Sequence, residues 1–586
     1  MMKRLAQCVR QYKKQAFFTP VLVTAEVILE IAVPLLMADL IDFGIDVGDM
    51  GVVLRLGVLL LVCAAAQLFF GALAGKTAAV ASTGFAANVR NDIYDKLQEF
   101  AFSNIDKFSS ASIVTRLTTD VSNVQMAFQM ITRMAVRAPL LMLCSLVAAF
   151  GINTQISMIF MMCIPILAII LYLIMTKAHP IFNRVFKVYD KLNNVVQENL
   201  RGIRVVKSFT RENYEKEKFG NISQRIYQDF CKAEKLLSFN MPVMQLCMYG
   251  CMLLISWFGA RAIILSGNNP ELGLSTGQLM SLITYAMQIL MSLMMLSMVF
   301  VMITMSRTSA ERIIEILEEK TDISNIDTAV KYIADGSIAF SDVAFSYSIK
   351  AEKPVLENIN LRIPSGAAVG IIGGTGSSKS SLVQLIPRLY DATKGTVLVG
   401  GRDVRLYDLY ALRNEVAMVL QKNELFSGTI KENLRWGNEN ATDEELVSAC
   451  TMAQAHEFIS AMPDGYDTYI EQGGTNVSGG QKQRLCIARA LLKKPKILIL
   501  DDSTSAVDTK TDALIQKALS EYIPETTKLI IAQRVSSIQS CDMIVVMDEG
   551  KIAAVGKHEE LLESCSLYRE VYQSQLKGGK ENAAGQ

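Results

Sequence analysis

The first half of the chain alternates long apolar runs with long polar connections. Six of these runs are long enough to cross a bilayer as helices, since about 20 apolar residues are needed to span the hydrocarbon core. Their bounds are roughly 17–40, 52–74, 134–152, 156–175, 241–264 and 278–305. The pattern therefore predicts an all-α domain of six membrane-spanning helices.

Lysine and arginine are distributed unevenly around these runs. The short loops after the first, third and fifth runs contain neither residue, whereas the N-terminal segment and two long connections, 75–133 and 176–240, are rich in both. The positive-inside rule then places both termini and both connections in the cytoplasm. We expect a multi-pass protein of the plasma (inner) membrane.

The two long connections have the polar pattern of helices and contain few Gly or Pro residues. We expect each to form helices that project beyond the bilayer and turn at a short bend, at 108–120 in the first and at 198–212 in the second. A plain solvated hairpin is the alternative. The length and symmetry of the pair favour rigid levers that reach a cytoplasmic partner.

Charged and sulfur-containing side chains stand out inside the apolar runs. Glu26 and Glu30 are four residues apart and therefore share one face of the first helix. Ionisable groups at membrane depth face a polar cavity or a partner, so two interpretations stay open: substrate recognition, or a structural pair with Arg133 or Arg137.

Twelve of the 29 Met residues lie between 241 and 305. Packing against lipid or other helices explains most of them, and a wall that adapts to varied ligands is a hypothesis for a few.

Composition narrows the classes of function. A net charge of +1 gives no argument for nucleic acid as a partner. The eleven Cys residues are scattered and form neither a CxxC pair nor a Cys/His cluster with zinc spacing, so we expect them to act as small buried hydrophobes. No cleavable signal peptide is apparent, because the first apolar run leads into further runs and has no small-residue cleavage pattern after it.

The pattern changes after the apolar half. A polar linker at 318–335 leads to short β-rich runs that alternate with helices over 336–575, and a polar tail follows at 576–586. This alternation is typical of an α/β domain. We therefore predict a multi-domain chain: a transmembrane domain over 1–317, followed by a cytoplasmic α/β nucleotide-binding domain of the P-loop type.

The evidence for the P-loop is the strand AAVGII, which runs into GGTGSSKS and then into a helix. This fits G-x-x-x-x-G-K-[ST] except that Ser378 replaces the second Gly. In such a loop the backbone N–H groups cradle phosphate oxygens, Lys379 reaches the β- and γ-phosphates, and Ser380 offers a hydroxyl to Mg²⁺. The candidate residues are Gly373, Gly374, Thr375, Gly376, Ser377, Ser378, Lys379, Ser380 and Ser381.

Two further segments extend this chemistry. LILDDSTSAVD ends a hydrophobic strand at Asp501, a candidate Mg²⁺ ligand, and continues with Asp502. Upstream, Ser478, Gly479 and Gly480 expose backbone N–H groups at the start of a helix, which makes a second anion site. One nucleotide does not need two separate phosphate cradles on one chain. We therefore expect a head-to-tail dimer in which each Ser-Gly-Gly segment closes over the nucleotide of the other subunit.

Together these motifs resemble a half-transporter of the ATP-binding cassette exporter family, over nearly the whole chain. The resemblance implies ATP and Mg²⁺ as cofactors, the lipid bilayer and a second half-transporter as partners, a small amphipathic substrate, and coupling helices at the two bends. It also implies roles for individual residues. Tyr347 would stack on adenine, Gln421 would approach Mg²⁺, and Asp508 would lie in the loop that follows the strand ending at Asp501. The signature motif would consist of Ser478, Gly479, Gly480 and Gln481.

Three departures from the family pattern concern one nucleotide. Asp502 stands where Glu is common. The Asp side chain is shorter by one methylene, and misplacing a catalytic group by about 1 Å can cost about 100-fold in rate. Gln533 stands where the switch His is usual, and an amide cannot become cationic. Ser378 is the third departure. The His residues of the chain, His179, His456 and His558, are not placed to substitute for the switch His.

The segment VSGGQ, which is expected to close over the nucleotide of the other subunit, is nearly unmodified relative to the family pattern. Gln472, before it, stands where Glu is frequent. Because Lys379, Ser380 and Asp501 are retained, ATP is still expected to bind. The pattern resembles the degenerate-site subunit of a bacterial heterodimeric multidrug exporter. On this interpretation Asp502 and Gln533 are degenerate equivalents of the catalytic Glu and the switch His, and hydrolysis occurs mainly at the site shared with a partner.

Other interpretations stay open. The cargo of the exporter could be a lipid, a siderophore or a peptide, and the pump could be a homodimer. A ligand-gated channel on the same scaffold is a further alternative. Soluble cassette ATPases of DNA repair and translation are a different class, and the six apolar runs argue against them.

Overall fold

The computed structural model describes residues 2–268, 273–348, 353–503 and 507–584. The chain divides into two compact units, one formed by Met1–Gln98 with Ser110–Glu319 and the other by Glu99–Ser109 with Lys320–Gln586. Residues 585 and 586 of the predicted tail lie outside the described residues.

The part of the chain before the linker is helical. Two single turns of wider π-helix, Leu40–Ile45 and Arg116–Asp120, interrupt the regular geometry. The α-helices are α1 Met2–Gln7, α2 Lys13–Asp39, α3 Met50–Gln98, α4 Phe102–Phe108, α5 Ser110–Thr115, α6 Val121–Ile152, α7 Thr154–Arg201, α8 Ile203–Ser208, α9 Glu212–Ser238, α10 Asn240–Ser266 and α11 Thr276–Glu318.

Within the described residues, six helices are long and apolar enough to cross a membrane. They contain the six predicted runs, in α2, α3, α6, α7, α10 and α11. Polar caps start two of them: the Asn153 side chain accepts from the Ile156 N–H, and Ser275 forms a reciprocal capping box with Gln278 at the start of α11. The prediction of six spans is confirmed.

The two bends give opposite outcomes. The prediction at 198–212 is confirmed, because α7 ends at Arg201 and the short helix α8 lies before α9. The prediction at 108–120 places the bend too late: the chain turns over Glu99–Ser109, which overlaps the predicted range only at 108 and 109, and most of 108–120 is helical. Hydroxyls in this stretch are compatible with a helix: Thr118 Oγ1 donates to the Val114 carbonyl at 2.8 Å.

The acidic pair in the first span binds a single arginine. Arg137 of α6 donates hydrogen bonds from its two terminal guanidinium nitrogens, one to the Glu26 carboxylate and the other to the Glu30 carboxylate, the latter at 2.8 Å. Glu26 is buried, and Gly71 of α3 leaves room for its carboxyl group, since a Cβ there would lie 3.3 Å from it. The structural interpretation with Arg137 as the partner is thus confirmed. Removing that arginine would leave two uncompensated carboxylates at membrane depth.

The second unit contains the strands. These are β1 Ile338–Phe345, β2 Leu356–Ile363, β3 Ala368–Gly373, β4 Lys394–Val399, β5 Arg402–Asp403, β6 Val416–Val419, β7 Gly428–Thr429, β8 Tyr469–Ile470, β9 Ile497–Asp501, β10 Thr527–Ile531, β11 Met543–Asp548 and β12 Lys551–Gly556. The helices are α12 Lys379–Gln384, α13 Leu409–Glu415, α14 Ile430–Arg435, α15 Asp443–Met452, α16 His456–Ser460, α17 Gly479–Leu492, α18 Thr509–Tyr522, α19 His558–Ser564 and α20 Ser566–Ala584.

The principal sheet has the order β12-β11-β3-β10-β9-β6, with all neighbours parallel except β12. A second, antiparallel sheet has the order β2-β1-β4-β5. Strand β9 is buried on both faces: Leu498 and Leu500 belong to one hydrophobic cluster, Ile497 and Ile499 to another. Burial on both faces explains why this strand is a continuous apolar run rather than an alternating one.

Helix α4 belongs to the second unit although it precedes the linker by two hundred residues of membrane domain. Tyr390 donates its hydroxyl proton to Asp106 at 2.8 Å, and its ring lies 6.1 Å from that of Phe102. Asn104 donates to the Lys320 carbonyl at 3.1 Å. The first bend is therefore packed on the α/β unit of its own chain.

Candidate nucleotide-binding site

The chemically interesting residues collect at one edge of the principal sheet. Strands β3, β10 and β9 are adjacent and parallel, so their carboxyl ends lie side by side. Ser380, at the start of α12, donates its hydroxyl proton to Asp501 Oδ1 at 3.0 Å, which joins the loop after β3 to the end of β9. This edge of an open α/β sheet is where ligands commonly bind.

The loop after β3 has the backbone freedom that a phosphate cradle needs. A Cβ on Gly373 would lie 2.2 Å from the Met547 carbonyl oxygen, so only Gly fits there. Among the described residues, apart from the immediate chain neighbours, no heavy atom lies within 4 Å of where a Cβ would stand at Gly374 or Gly376, and Gly376 has φ +84°. Lys379 Nζ donates to the carbonyls of Gly373 and Gly374, both at 2.9 Å. Thr375 lies between these glycines in the same turn.

Ser378 occupies the position of the second motif glycine with φ 66° and ψ 26°. This is the left-handed helical region, which costs a residue with a Cβ about 1–2 kcal/mol. The neighbouring Ser377 bonds inward, with its hydroxyl donating to the Gly374 carbonyl at 2.8 Å. The substitution therefore leaves the loop's shape intact but adds local backbone strain.

The donor set suits a divalent cation with a preference for oxygen. Asp501 is buried, and burial raises the pKa of its carboxyl group against the opposing effects of the Ser380 hydrogen bond and Lys379. For the cationic Lys379 the same burial has the opposite sign: it lowers the pKa of the ammonium group, while the charges of Asp501 and Asp502 raise it. A hydroxyl and a carboxylate 3.0 Å apart provide the hard ligands that Mg²⁺ prefers, and the site fits that ion.

Asp502 is held between neutral amides. Gln533 Nε2 donates to Asp502 Oδ2 at 2.8 Å, and the Gln421 side chain also hydrogen-bonds this carboxylate. Burial raises the pKa of Asp502, while these two hydrogen bonds lower it. The residue has φ 50°, a conformation that Asp tolerates better than most residues. The predicted Gln421, Asp502 and Gln533 thus meet in one place.

Tyr347 lies beside the phosphate loop with half of its surface exposed. Its hydroxyl is 2.8 Å from Ser381 Oγ, and its ring packs edge-on against Phe345 and Tyr390, at 4.8 and 5.1 Å between centroids. The side chain is therefore fixed by its neighbours while part of its surface stays exposed. Tyr390 was not identified from the sequence, where it is an ordinary aromatic residue in RLYD.

The signature segment is the N-terminus of a different helix. Ser478 caps α17: its Oγ accepts from the Gln481 N–H at 3.3 Å, and the Gln481 side chain accepts from the Ser478 N–H at 2.9 Å. Ser478 and Gly479 are exposed. In the described part of the chain, the side-chain hydrogen bonds of Ser478 and Gln481 stay within this cap, so the segment is not joined to the phosphate loop through them.

Two other candidate residues lie at helix or turn starts. Asp508 caps α18, where its Oδ1 accepts from the Thr511 N–H at 3.0 Å, and this backbone hydrogen bond lowers the pKa of Asp508. Gln472 is exposed in a short turn before the signature segment. The His456 and His558 rings each bond a nearby tyrosine hydroxyl, at 3.0 and 2.7 Å, which accounts for both without the nucleotide site.

Comparison with known proteins follows the division into two domains. Residues 17–307 match the family model of the ABC transporter transmembrane region, and residues 356–505 match that of the ABC transporter. YfiB of Bacillus subtilis (strain 168), described as an uncharacterized ABC transporter ATP-binding protein, is 36% identical over 582 residues, which cover 99% of this chain and 100% of the relative. The chain belongs to the ABC transporter family.

One further relative and one solved structure resemble this ABC transporter over most of its length. The ATP-dependent lipid A-core flippase of Syntrophus aciditrophicus (strain SB) is 31% identical over 496 residues, 84% of this chain and 81% of the relative. The solved structure of a bacterial Atm1-family ABC exporter with ATP bound has a TM-score of 0.81 at 21% identity, over 97% of this chain and 98% of that one. The predicted fold class, a six-helix transmembrane domain followed by an α/β nucleotide-binding domain, is confirmed.

Family membership also establishes the general activity. The protein is a multi-pass ABC exporter whose cassette binds ATP and couples its hydrolysis to transport. ABC exporters work in a lipid bilayer as dimers of half-transporters. Against this background, the structure gathers Lys379, Ser380, Asp501, Asp502 and Gln533 at one sheet edge and leaves the signature segment on a separate, exposed helix start.

Proposed function

We propose that this ABC transporter is one half of a heterodimeric exporter of the plasma membrane, with both termini in the cytoplasm, and that its own nucleotide site is degenerate. Its signature segment would complete the competent site of the partner. The observation that carries the proposal is the hydrogen bond between the Gln533 amide and the Asp502 carboxylate, because it joins the two altered residues and pairs the carboxylate with a neutral amide instead of a titratable imidazole.

The retained residues of the site are those that bind a nucleotide. The loop from Gly373 to Ser381 would cradle the phosphates, with Lys379 on the β- and γ-phosphates and Tyr347 against the adenine. Ser380, Gln421 and Asp501 would hold Mg²⁺, which supplies neutralisation of phosphate charge when bound.

The altered residues are those that would accelerate cleavage. Asp502 reaches less far than Glu toward an attacking water, and two amide donors already engage it. Gln533 has no titratable proton with which to support charge developing on the γ-phosphate. ATP at this site would then act as a tether between the cassettes, while hydrolysis at the partner-based site drives alternating access.

We propose amphipathic or hydrophobic compounds as cargo, multiple drugs among them. Met287, Met291, Met294 and Met298 follow the spacing of one helix face on α11 and are exposed in the single chain, so they form a stripe of adaptable thioether side chains. A lipid is the second candidate, favoured by the similarity to a relative described as a lipid A-core flippase.

ATPase activity of the reconstituted pair tests the division between the two sites. Removing the catalytic Glu of the partner should abolish turnover, whereas Asp502→Asn should change the rate by less than about twofold, because Asp502 does not lie at the competent site. A large loss from Asp502→Asn would contradict the degenerate-site assignment. Robust ATPase activity of this chain purified alone would favour a homodimer instead.

A further inference from the structure

The C-terminal helix α20 is fixed to the cassette by one of its faces. Tyr568 is buried in the larger hydrophobic cluster, and its hydroxyl is 2.7 Å from His558 Nδ1. Val571 and Tyr572 pack against the same cluster. Gln575 follows three residues after Tyr572 and seven after Tyr568, so it lies on this same face, one turn further along.

Both the oxygen and the nitrogen of the Gln575 side-chain amide hydrogen-bond the loop that contains Gln533. Its Oε1 accepts from the Val535 N–H at 2.9 Å, and its Nε2 donates to the Gln533 carbonyl at 2.8 Å. The two peptide groups flank Arg534, so a single side chain fixes the loop at two points. Gln533 in turn places its own amide on Asp502 at 2.8 Å.

We infer that Gln575 is a positioning residue for Gln533, and that through it the C-terminal helix sets how strongly this nucleotide site binds a γ-phosphate. Among the backbone hydrogen bonds of the described residues, the Ala532 N–H joins the start of this loop to β3 by donating to the Ile371 carbonyl at 3.2 Å, and Gln575 holds the loop at two further points. The anchored helix therefore constrains the loop, because Tyr568 and its neighbours pack in the core. The inference rests on the proposed function in one respect only, the placement of the γ-phosphate near Gln533.

The predicted consequence is selective for ATP over ADP. Loss of the two bonds would free the Gln533 backbone and spread its side chain over several positions, which weakens any contact made only with the γ-phosphate. A hydrogen bond that competes with water is worth little, so we expect about a threefold to tenfold loss of ATP affinity. ADP affinity should stay within about twofold, because the phosphate loop and Tyr347 are untouched.

The test is calorimetric titration of the full-length chain in lipid nanodiscs with Mg-ATP and with Mg-ADP. Gln575→Met removes both hydrogen bonds and keeps the length of the side chain. Gln573→Met is the matched control. Gln573 is exposed on the same helix, and because it lies two residues before Gln575 it is on nearly the opposite face of the helix from the loop. We expect the ATP-to-ADP affinity ratio to fall in Gln575→Met and to stay unchanged in the control.

A double variant separates positioning from a general effect on the fold. If Gln575 acts through Gln533, then Gln575→Met should have no further effect in a Gln533→Ala background. Gln575→Glu keeps the acceptor for Val535 and should give an intermediate ratio, which also serves if Gln575→Met folds poorly. An unchanged ratio in Gln575→Met, an equal weakening of both nucleotides, or additive effects in the double variant would each overturn the inference. None of these readouts depends on a partner subunit, so the heterodimer proposal can fail independently.

Discussion

The two anion-binding features of the cassette differ in where their polar groups are directed. At the sheet edge, Lys379, Ser380 and Gln533 all hydrogen-bond groups of the same edge. At the start of α17, the hydrogen bonds that the described residues give to the Ser478 and Gln481 side chains stay within the cap, and the helix N-terminus is exposed. The first N–H groups of a helix have no intrahelical partner, so under the proposed function this end would receive the phosphates of the opposite subunit's nucleotide.

Under the proposed function, changes at the sheet edge would alter only the nucleotide held by this chain. Changes at Ser478 would alter the site of another subunit, and this would account for the nearly unmodified sequence of that segment. The following predictions test this separation, starting with the largest expected effect.

Ser478→Asp should lower the ATPase rate of the assembled exporter by about 100-fold, because a negative charge would face the nucleotide phosphates of the opposite site. Asp caps a helix as well as Ser does, so the melting temperature should not change. Ser478→Asn keeps the cap without the charge and should retain most of the activity. Steady-state ATPase assays of the three proteins check this, and retention of more than half the activity in Ser478→Asp would contradict it.

Asp502→Glu combined with Gln533→His should raise hydrolysis at this chain's own site by about tenfold or more, since a positioned general base and a titratable switch residue are each worth at least that. The measurement is the ATPase rate of the pair after the catalytic Glu of the partner has been removed, which isolates the contribution of this site. Either substitution alone should give a smaller gain. No gain from the double variant would show that the low activity has another cause.

Ser378→Gly should stabilise the cassette by about 1 kcal/mol, because Ser378 has φ 66° and Gly removes the strain of the Cβ. Ser377→Gly, at the neighbouring position, should destabilise it instead, since the Ser377 hydroxyl donates to the Gly374 carbonyl. Thermal unfolding of the nucleotide-free chain measures both. Shifts of the same sign in the two variants would contradict the strain argument.

Patterns that depend on local chemistry could be predicted from the sequence. The six spans follow from runs of about 20 apolar residues, and the buried strand β9 follows from the continuous hydrophobic segment ending at Asp501. The phosphate loop was recognisable because its Gly, Lys and Ser residues must stand at a set spacing within one turn. The first bend was placed too late in the chain because no local pattern marks where α4 ends, and the position of that short helix depends on tertiary contacts such as the hydrogen bond from Tyr390 to Asp106.

The sequence by itself determined which residue types were available: two acidic residues in the first span, an altered Asp502 and Gln533, and an intact signature segment. Only the tertiary structure decided how they pair. It joined Glu26 and Glu30 to Arg137, brought Gln533 onto Asp502, and placed Gln575 on the switch loop, across separations of 107 residues for Glu30 to Arg137 and 42 for Gln533 to Gln575. Such contacts arise from the packing of whole helices and strands, which no local pattern encodes.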